Sequence, residues 1–193
     1  MNKKIVLQTL MAGACLCSSA LALELNLSAI SNAGNYSQVG TLVSASSASF
    51  SSRTGLSLGI AQPLFKTPFV GELNVDLLSE GTLSIAGSSY TEQLSVIPVE
   101  LNVVWSSIPM FNLGAGINQS FWNSSTSPSV QFAGKLGYQI FAQSKISVSN
   151  ATSVMLRGGF QANNGSWTIS GVSADTNSQG YYLNAGLSYD FNS

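Results

Sequence analysis

Five charged residues could act together: Glu72, Asp76, Glu100, Lys135 and Arg157. Paired carboxylates do acid–base work when they flank one reacting centre a few ångströms apart. Glu72 and Asp76 share a face of an extended segment but lie about 13 Å apart along it, because a strand rises about 3.3 Å per residue. That is too far for one acid–base pair, although Glu100 on a neighbouring strand could approach either. The structural reading is an interior charge network, with Lys135 and Arg157 balancing the three carboxylates. A catalytic or cation site and an ion path are the alternatives.

Other chemistries lack their residues. The sequence has no histidine, so triads and dyads built on imidazole are excluded. No Ser-x-x-Lys, G-x-S-x-G, P-loop or dinucleotide fingerprint occurs. Cys15 and Cys17, the two cysteines, both lie in the N-terminal apolar stretch. With no His and no Cys beyond that stretch, no transition-metal site is expected. The chain reads as a non-enzyme with no cofactor. Net charge is −1 and no basic block is present, so no nucleic-acid partner is expected.

The N-terminus reads as a secretory signal. Lys3 and Lys4 precede a mostly apolar run from Ile5 to Leu16, and Ala20-Leu21-Ala22 supplies a small-x-small cleavage site. Residues 1–22 are therefore expected to be removed and 23–193 to form one domain. Ala12-Gly13-Ala14 before Cys15 allows a lipoprotein alternative. Cleavage after Ala22 removes both cysteines and leaves five basic and eight acidic residues, a net charge near −3.

Something must position the charged residues, and the signal for it is period-two alternation. Eight segments show it: Leu23 to Ser31, Thr54 to Gln62, Phe69 to Leu78, Thr91 to Trp105, Met110 to Trp122, Val130 to Ala142, Thr152 to Asn163 and Gly180 to Phe191. No apolar run after residue 22 is long enough for a membrane helix. Connections alternate between long stretches rich in Ser, Asn, Gly and Thr and short turns, the first two marked by Pro63, Pro68 and Pro109. That rhythm belongs to an all-β, eight-stranded antiparallel transmembrane up-and-down barrel.

The two faces support a barrel over a soluble sandwich. Only 8% of residues are charged, against about 25% in an average soluble domain. The polar parity carries Asn, Ser, Gln and Gly where a water-facing strand would carry Lys, Glu and Arg. Glu24, Glu72, Asp76, Glu100, Lys135, Arg157 and Asp190 all fall on that parity, expected to face a lumen, with Leu101, Leu136 and Leu187 facing lipid. Aromatics near strand ends, such as Phe69, Trp105, Phe111, Trp122, Tyr181 and Tyr189, suit interfacial girdles.

The last segment, Asn184-Ala185-Gly186-Leu187-Ser188-Tyr189-Asp190-Phe191, fits polar-x-Gly-x-x-aromatic-x-aromatic. It resembles the β-signal read by barrel-assembly machinery, with Asn184, Gly186, Tyr189 and Phe191 at the signature positions. Asn192 and Ser193 follow the final aromatic, where such signals often end. Leu94 to Trp105, with Ile97-Pro98 ahead of an alternating run, and Leu113-Gly114-Ala115-Gly116 are similar to the fourth and fifth strands of OmpX-like and opacity-type porin-family barrels. The resemblance implies residence in the bacterial outer membrane, with its lipid and the assembly machinery as partners. It leaves the role open: surface interaction or adhesion through loops with an unknown ligand, envelope integrity, a narrow channel for ions or very small solutes, or, outside that family, a secreted soluble sandwich adhesin subunit.

Overall fold

The computed structural model describes residues 23–39, 48–64, 66–85, 91–108, 110–124, 130–169 and 172–191. The expected signal segment, with Cys15 and Cys17, lies outside them. Ten strands occur among the described residues: β1 (Glu24–Val39), β2 (Ala48–Phe50), β3 (Arg53–Pro63), β4 (Phe69–Leu78), β5 (Gly81–Ile85), β6 (Thr91–Ile108), β7 (Phe111–Ser124), β8 (Val130–Ser147), β9 (Thr152–Ile169) and β10 (Val172–Asp190). β2 runs into β3 and β4 into β5, so the ten pieces make eight staves. Every pairing is antiparallel between chain neighbours, and β10 closes on β1 from Glu24↔Asp190 upward. The sheet has no free edge in the span, as hydrocarbon requires of a spanning sheet.

Alternation decides which residues go where. Along β4, Glu72, Asn74 and Asp76 are buried, while Phe69 and Leu77 are exposed. Along β6, Glu100 and Asn102 are buried between exposed Leu101 and Val103. Leu101, Leu136 and Leu187 are 57%, 60% and 53% exposed, on the outer wall as expected. The buried set is rich in Asn, Gln, Ser, Glu and Arg, and the exposed set in Leu, Ile, Val and aromatics. That is a soluble protein turned inside out, and its outer surface is stable only in lipid. The soluble-sandwich alternative fails here, since there is one sheet closed on itself.

Three details depart from the sequence reading. First, the strands are longer. β1 runs to Val39 and β10 begins at Val172, inside stretches expected to be loops. Past the hydrocarbon both faces meet water, so alternation fades while backbone pairing continues. Second, Arg53, expected in the first long loop, opens β3 and is buried. Third, Lys135 does not face the lumen. Lys135 pairs with Asn164 but Tyr138 pairs with Ala162, so β8 carries one extra residue. Such a bulge reverses side-chain parity beyond it. Lys135 is exposed, on the row of β9 that includes Leu156 and Phe160.

Candidate functional site: a lumen closed by its own side chains

The lower closure, near the short-turn end, is built on Arg157 of β9. Its guanidinium forms a buried salt bridge and hydrogen bond with Glu72 of β4 on the far wall. Arg157 Nε donates to Gln143 Oε1 at 2.8 Å. The guanidinium carbon stands 4.2 Å from the centroid of the Phe141 ring, a cation–π stack. Phe141 packs with Val104 and Tyr182, and Val70 joins them. Glycine makes room for this plug. A methyl group on Gly114 would sit 2.2 Å from the Phe141 ring, and one on Gly159 would sit 2.6 Å from Phe141 Cβ.

The upper closure is a chain of amides around Glu100. Asn32 donates to Gln161 at 3.1 Å, and Gln161 donates to Glu100 Oε1 at 3.3 Å. On the other side Asn102 donates to Glu100 Oε2 at 3.3 Å, Gln139 to Asn102 at 2.6 Å, and Asn118 to Gln139 at 3.3 Å. The chain links side chains from β1, β9, β6, β8 and β7. Gln139 and Gln161 are 1% and 2% exposed. Strand positions of this kind suit a small barrel, whose interior is just wide enough for side chains to fill.

Of the five residues expected to form one network, the structure brings Glu72 and Arg157 into contact and buries Asp76 and Glu100 in the same lumen. Lys135 is excluded by the bulge. Two basic residues were missed. Arg53 is buried, and Lys145 of β8 forms a salt bridge with Glu24 of β1 at the short-turn mouth. Lys145 fell beyond the expected end of its strand at Ala142, although Gln139, Phe141, Gln143 and Lys145 share a parity that would have placed it.

The terminal motif occupies the seam. Asn184 is buried and pairs with Ile30, Gly186 pairs with Ser28, and Tyr189 pairs with Leu25. A methyl group at Gly186 would fall 2.1 Å from the Leu27 carbonyl, so only glycine permits this approach. Tyr189 and Phe191 are exposed and meet edge to face at 5.1 Å. Phe69 and Trp105 pair across β4 and β6 at the same end. Trp122, also expected in a girdle, has a side chain outside the described set.

Chemically, the described part of the lumen offers carboxylates, amides, hydroxyls and guanidinium groups. Among the described residues no three His, Cys, Asp or Glu side chains converge on a metal-binding point.

No family model matches the sequence, and no curated protein matches it. Solved structures match the fold. The outer membrane protein OprG from Pseudomonas aeruginosa superposes with a TM-score of 0.70 at 11% identity, covering 90% of this chain and 97% of that one. The outer membrane protein AlkL, solved by solid-state NMR in DMPC lipid bilayers, gives 0.66 at 14% identity, covering 88% and 90%. At these identities the likeness establishes the barrel fold.

Proposed function

We propose that this chain is exported by its N-terminal signal to the bacterial outer membrane. There it serves as a non-enzymatic barrel of the OmpX-like or opacity-type kind, whose external loops mediate surface interaction or adhesion, or whose wall supports envelope integrity. The observation that carries this reading is the filled lumen. Two layers of buried side chains, one at Arg157 and one at Glu100, cross it and are bonded to facing walls. A barrel closed in this way works through its outer wall or its loops. Assembly uses the β-signal residues Asn184, Gly186, Tyr189 and Phe191 as the contact with barrel-assembly machinery.

Envelope fractionation tests residence. The chain is expected in the outer-membrane fraction, with unboiled samples migrating differently from boiled ones. Recovery from the soluble periplasm without detergent sinks the proposal. Replacing residues 40–47 by a Gly-Ser linker tests the role. Assembly is expected to persist while cell-surface adhesion or detergent resistance falls, and an unchanged phenotype counts against the loop reading.

A narrow channel is the second reading. It is favoured by buried lumen atoms that are in no well-formed hydrogen bond within the protein, among them both Asp76 carboxylate oxygens and Gln143 Nε2. Buried polar groups are normally satisfied, so water is expected there. Single-channel recording separates this reading from the first.

A further inference from the structure

Several of the polar atoms that the two closures leave over lie on the wall formed by β1, β3 and β4. Strand register puts Ser28, Ser57 and Asp76 in one row across β1, β3 and β4, and Asn26, Gly59, Asn74 and Glu100 in the next row. All face the lumen. Asn26 is 3% exposed, and neither its amide oxygen nor its amide nitrogen has a partner. Asp76 is 1% exposed, with the Ser57 hydroxyl and the Glu100 carboxyl beside it and neither of its oxygens in a well-formed hydrogen bond. Arg157, the guanidinium whose charge reaches Asp76, is bonded to Glu72, and in the described hydrogen bonds Glu100 accepts from the amides of Asn102 and Gln161. Among the described ion pairs neither of these two buried carboxylates has a direct cationic partner, an arrangement that burial makes costly.

We propose that this wall of the lumen binds one hard divalent cation of the calcium class, held by the carboxylates of Asp76 and Glu100 and by oxygens of Asn26, Asn74, Ser28 and Ser57. Charge suits a divalent ion, since the carboxylates of Asp76 and Glu100, left after Glu72 pairs with Arg157, carry two negative charges once an ion holds both ionised. Donor type sets the class, because all the ligands are oxygens, and calcium takes about six to eight of them in irregular geometry. Space is provided by the small residues of β3. The Asn74 carboxamide oxygen already occupies the room over Gly59, where a methyl group would lie 1.9 Å from it. A shared proton would satisfy one Asp76 oxygen and leave Asn26 as it is. A cation engages both, and water on the ion can accept from the free Nδ2 groups of Asn26 and Asn74. The lack of His, and of Cys beyond the N-terminal stretch, bears on softer ions and leaves an all-oxygen site open. The site is independent of what the loops bind.

The test uses the full barrel in detergent micelles, stripped with EGTA and then titrated with calcium chloride against choline chloride of equal ionic strength. At calcium about 100-fold above its Kd, the unfolding midpoint is expected to rise by about 5–10 °C, and equilibrium dialysis to find one calcium per barrel. Asp76→Asn is expected to abolish the shift and Asn26→Leu to weaken binding at least tenfold, while Glu24→Gln at the mouth keeps the response. If Asp76→Asn does not fold, Asn26→Leu decides. The proposal is overturned by no calcium shift in the parent, by an unchanged shift in Asp76→Asn or Asn26→Leu, or by acidification in EGTA giving the whole shift with calcium adding nothing.

Discussion

A guanidinium inside a closed barrel stays charged, so its stabilising effect depends on what faces it. Arg157 faces Glu72, Gln143 and the Phe141 ring. Arg157→Ala leaves Glu72 buried without its cation, which costs about 3–5 kcal/mol in a dry site. Thermal unfolding in micelles is expected to show a midpoint about 10 °C lower, with Lys66→Ala in an exposed turn unchanged. Adding Glu72→Gln to Arg157→Ala should recover much of the loss, because it removes the stranded charge. If the double variant melts as low as the single one, the loss comes from packing against Phe141 instead. At this scale the sequence was legible for Glu72, Asp76, Glu100 and Arg157, because each lies within an unbroken run of alternation. Lys135 was misread because a bulge leaves no trace in parity when the flanking residues, Gly134 and Gly137, are small. Lys145 and Arg53 escape the sequence pattern because both stand where β8 and β3 extend past the alternating runs. The pairing of Arg157 with Glu72 in particular is a tertiary fact that depends on strand tilt and stagger.

At the level of the element, all eight staves could be read, since a hydrocarbon-facing row must be apolar over its whole length. Their outer extensions could not, because above the membrane no face is under that constraint. The seam was legible as a motif, and its physics is now visible: Gly186 lets β10 approach β1, and Tyr189 and Phe191 cover the outer wall at the short-turn mouth. Phe191→Ser removes one ring of that edge-to-face pair at the end of the closing strand. The yield of heat-modifiable barrel in the outer membrane is expected to fall severalfold, whereas refolding of purified protein in micelles should change little. Equal losses in both assays would mean that Phe191 acts in closure itself and not in recognition. A second element-level prediction concerns Met110, which precedes β7 with a φ of 63°. Left-handed backbone costs a residue with a side chain about 1–2 kcal/mol, and this side chain is 61% exposed, so little packing is lost on its removal. Met110→Gly should leave the fold intact and raise the melting midpoint by about 2–4 °C, and a lower midpoint would show that the Met110 side chain contributes more than its backbone costs.

At the scale of the whole molecule, the two closures stand in series along one lumen. β9 carries both Arg157 and Gln161, about 13 Å apart along the strand at 3.3 Å per residue. An ion crossing the barrel must pass the Arg157 layer and the Glu100 layer, and either one intact keeps side chains bonded across the path. The lower layer is held by a salt bridge and a stacked ring, the upper by a chain of amides. Arg157 bonds to Gln143 and Glu72, and Gln161 to Asn32 and Glu100, so removing one leaves the other standing. Conductance is therefore expected to be non-additive. In planar bilayers the parent barrel should carry negligible current. Arg157→Ala alone and Gln161→Ala alone should stay nearly as closed, whereas Arg157→Ala combined with Gln161→Ala should open small, reproducible steps. The steps should favour cations, because Glu72, Asp76 and Glu100 all remain in the lumen while one buried arginine is lost. Steps from Arg157→Ala alone as large as those of the double variant would mean that the amide layer is permeable and that the lumen is gated at one level. A silent double variant would mean that Phe141, Val104 and Tyr182, the apolar packing beneath the charges, close the barrel without help from either polar layer.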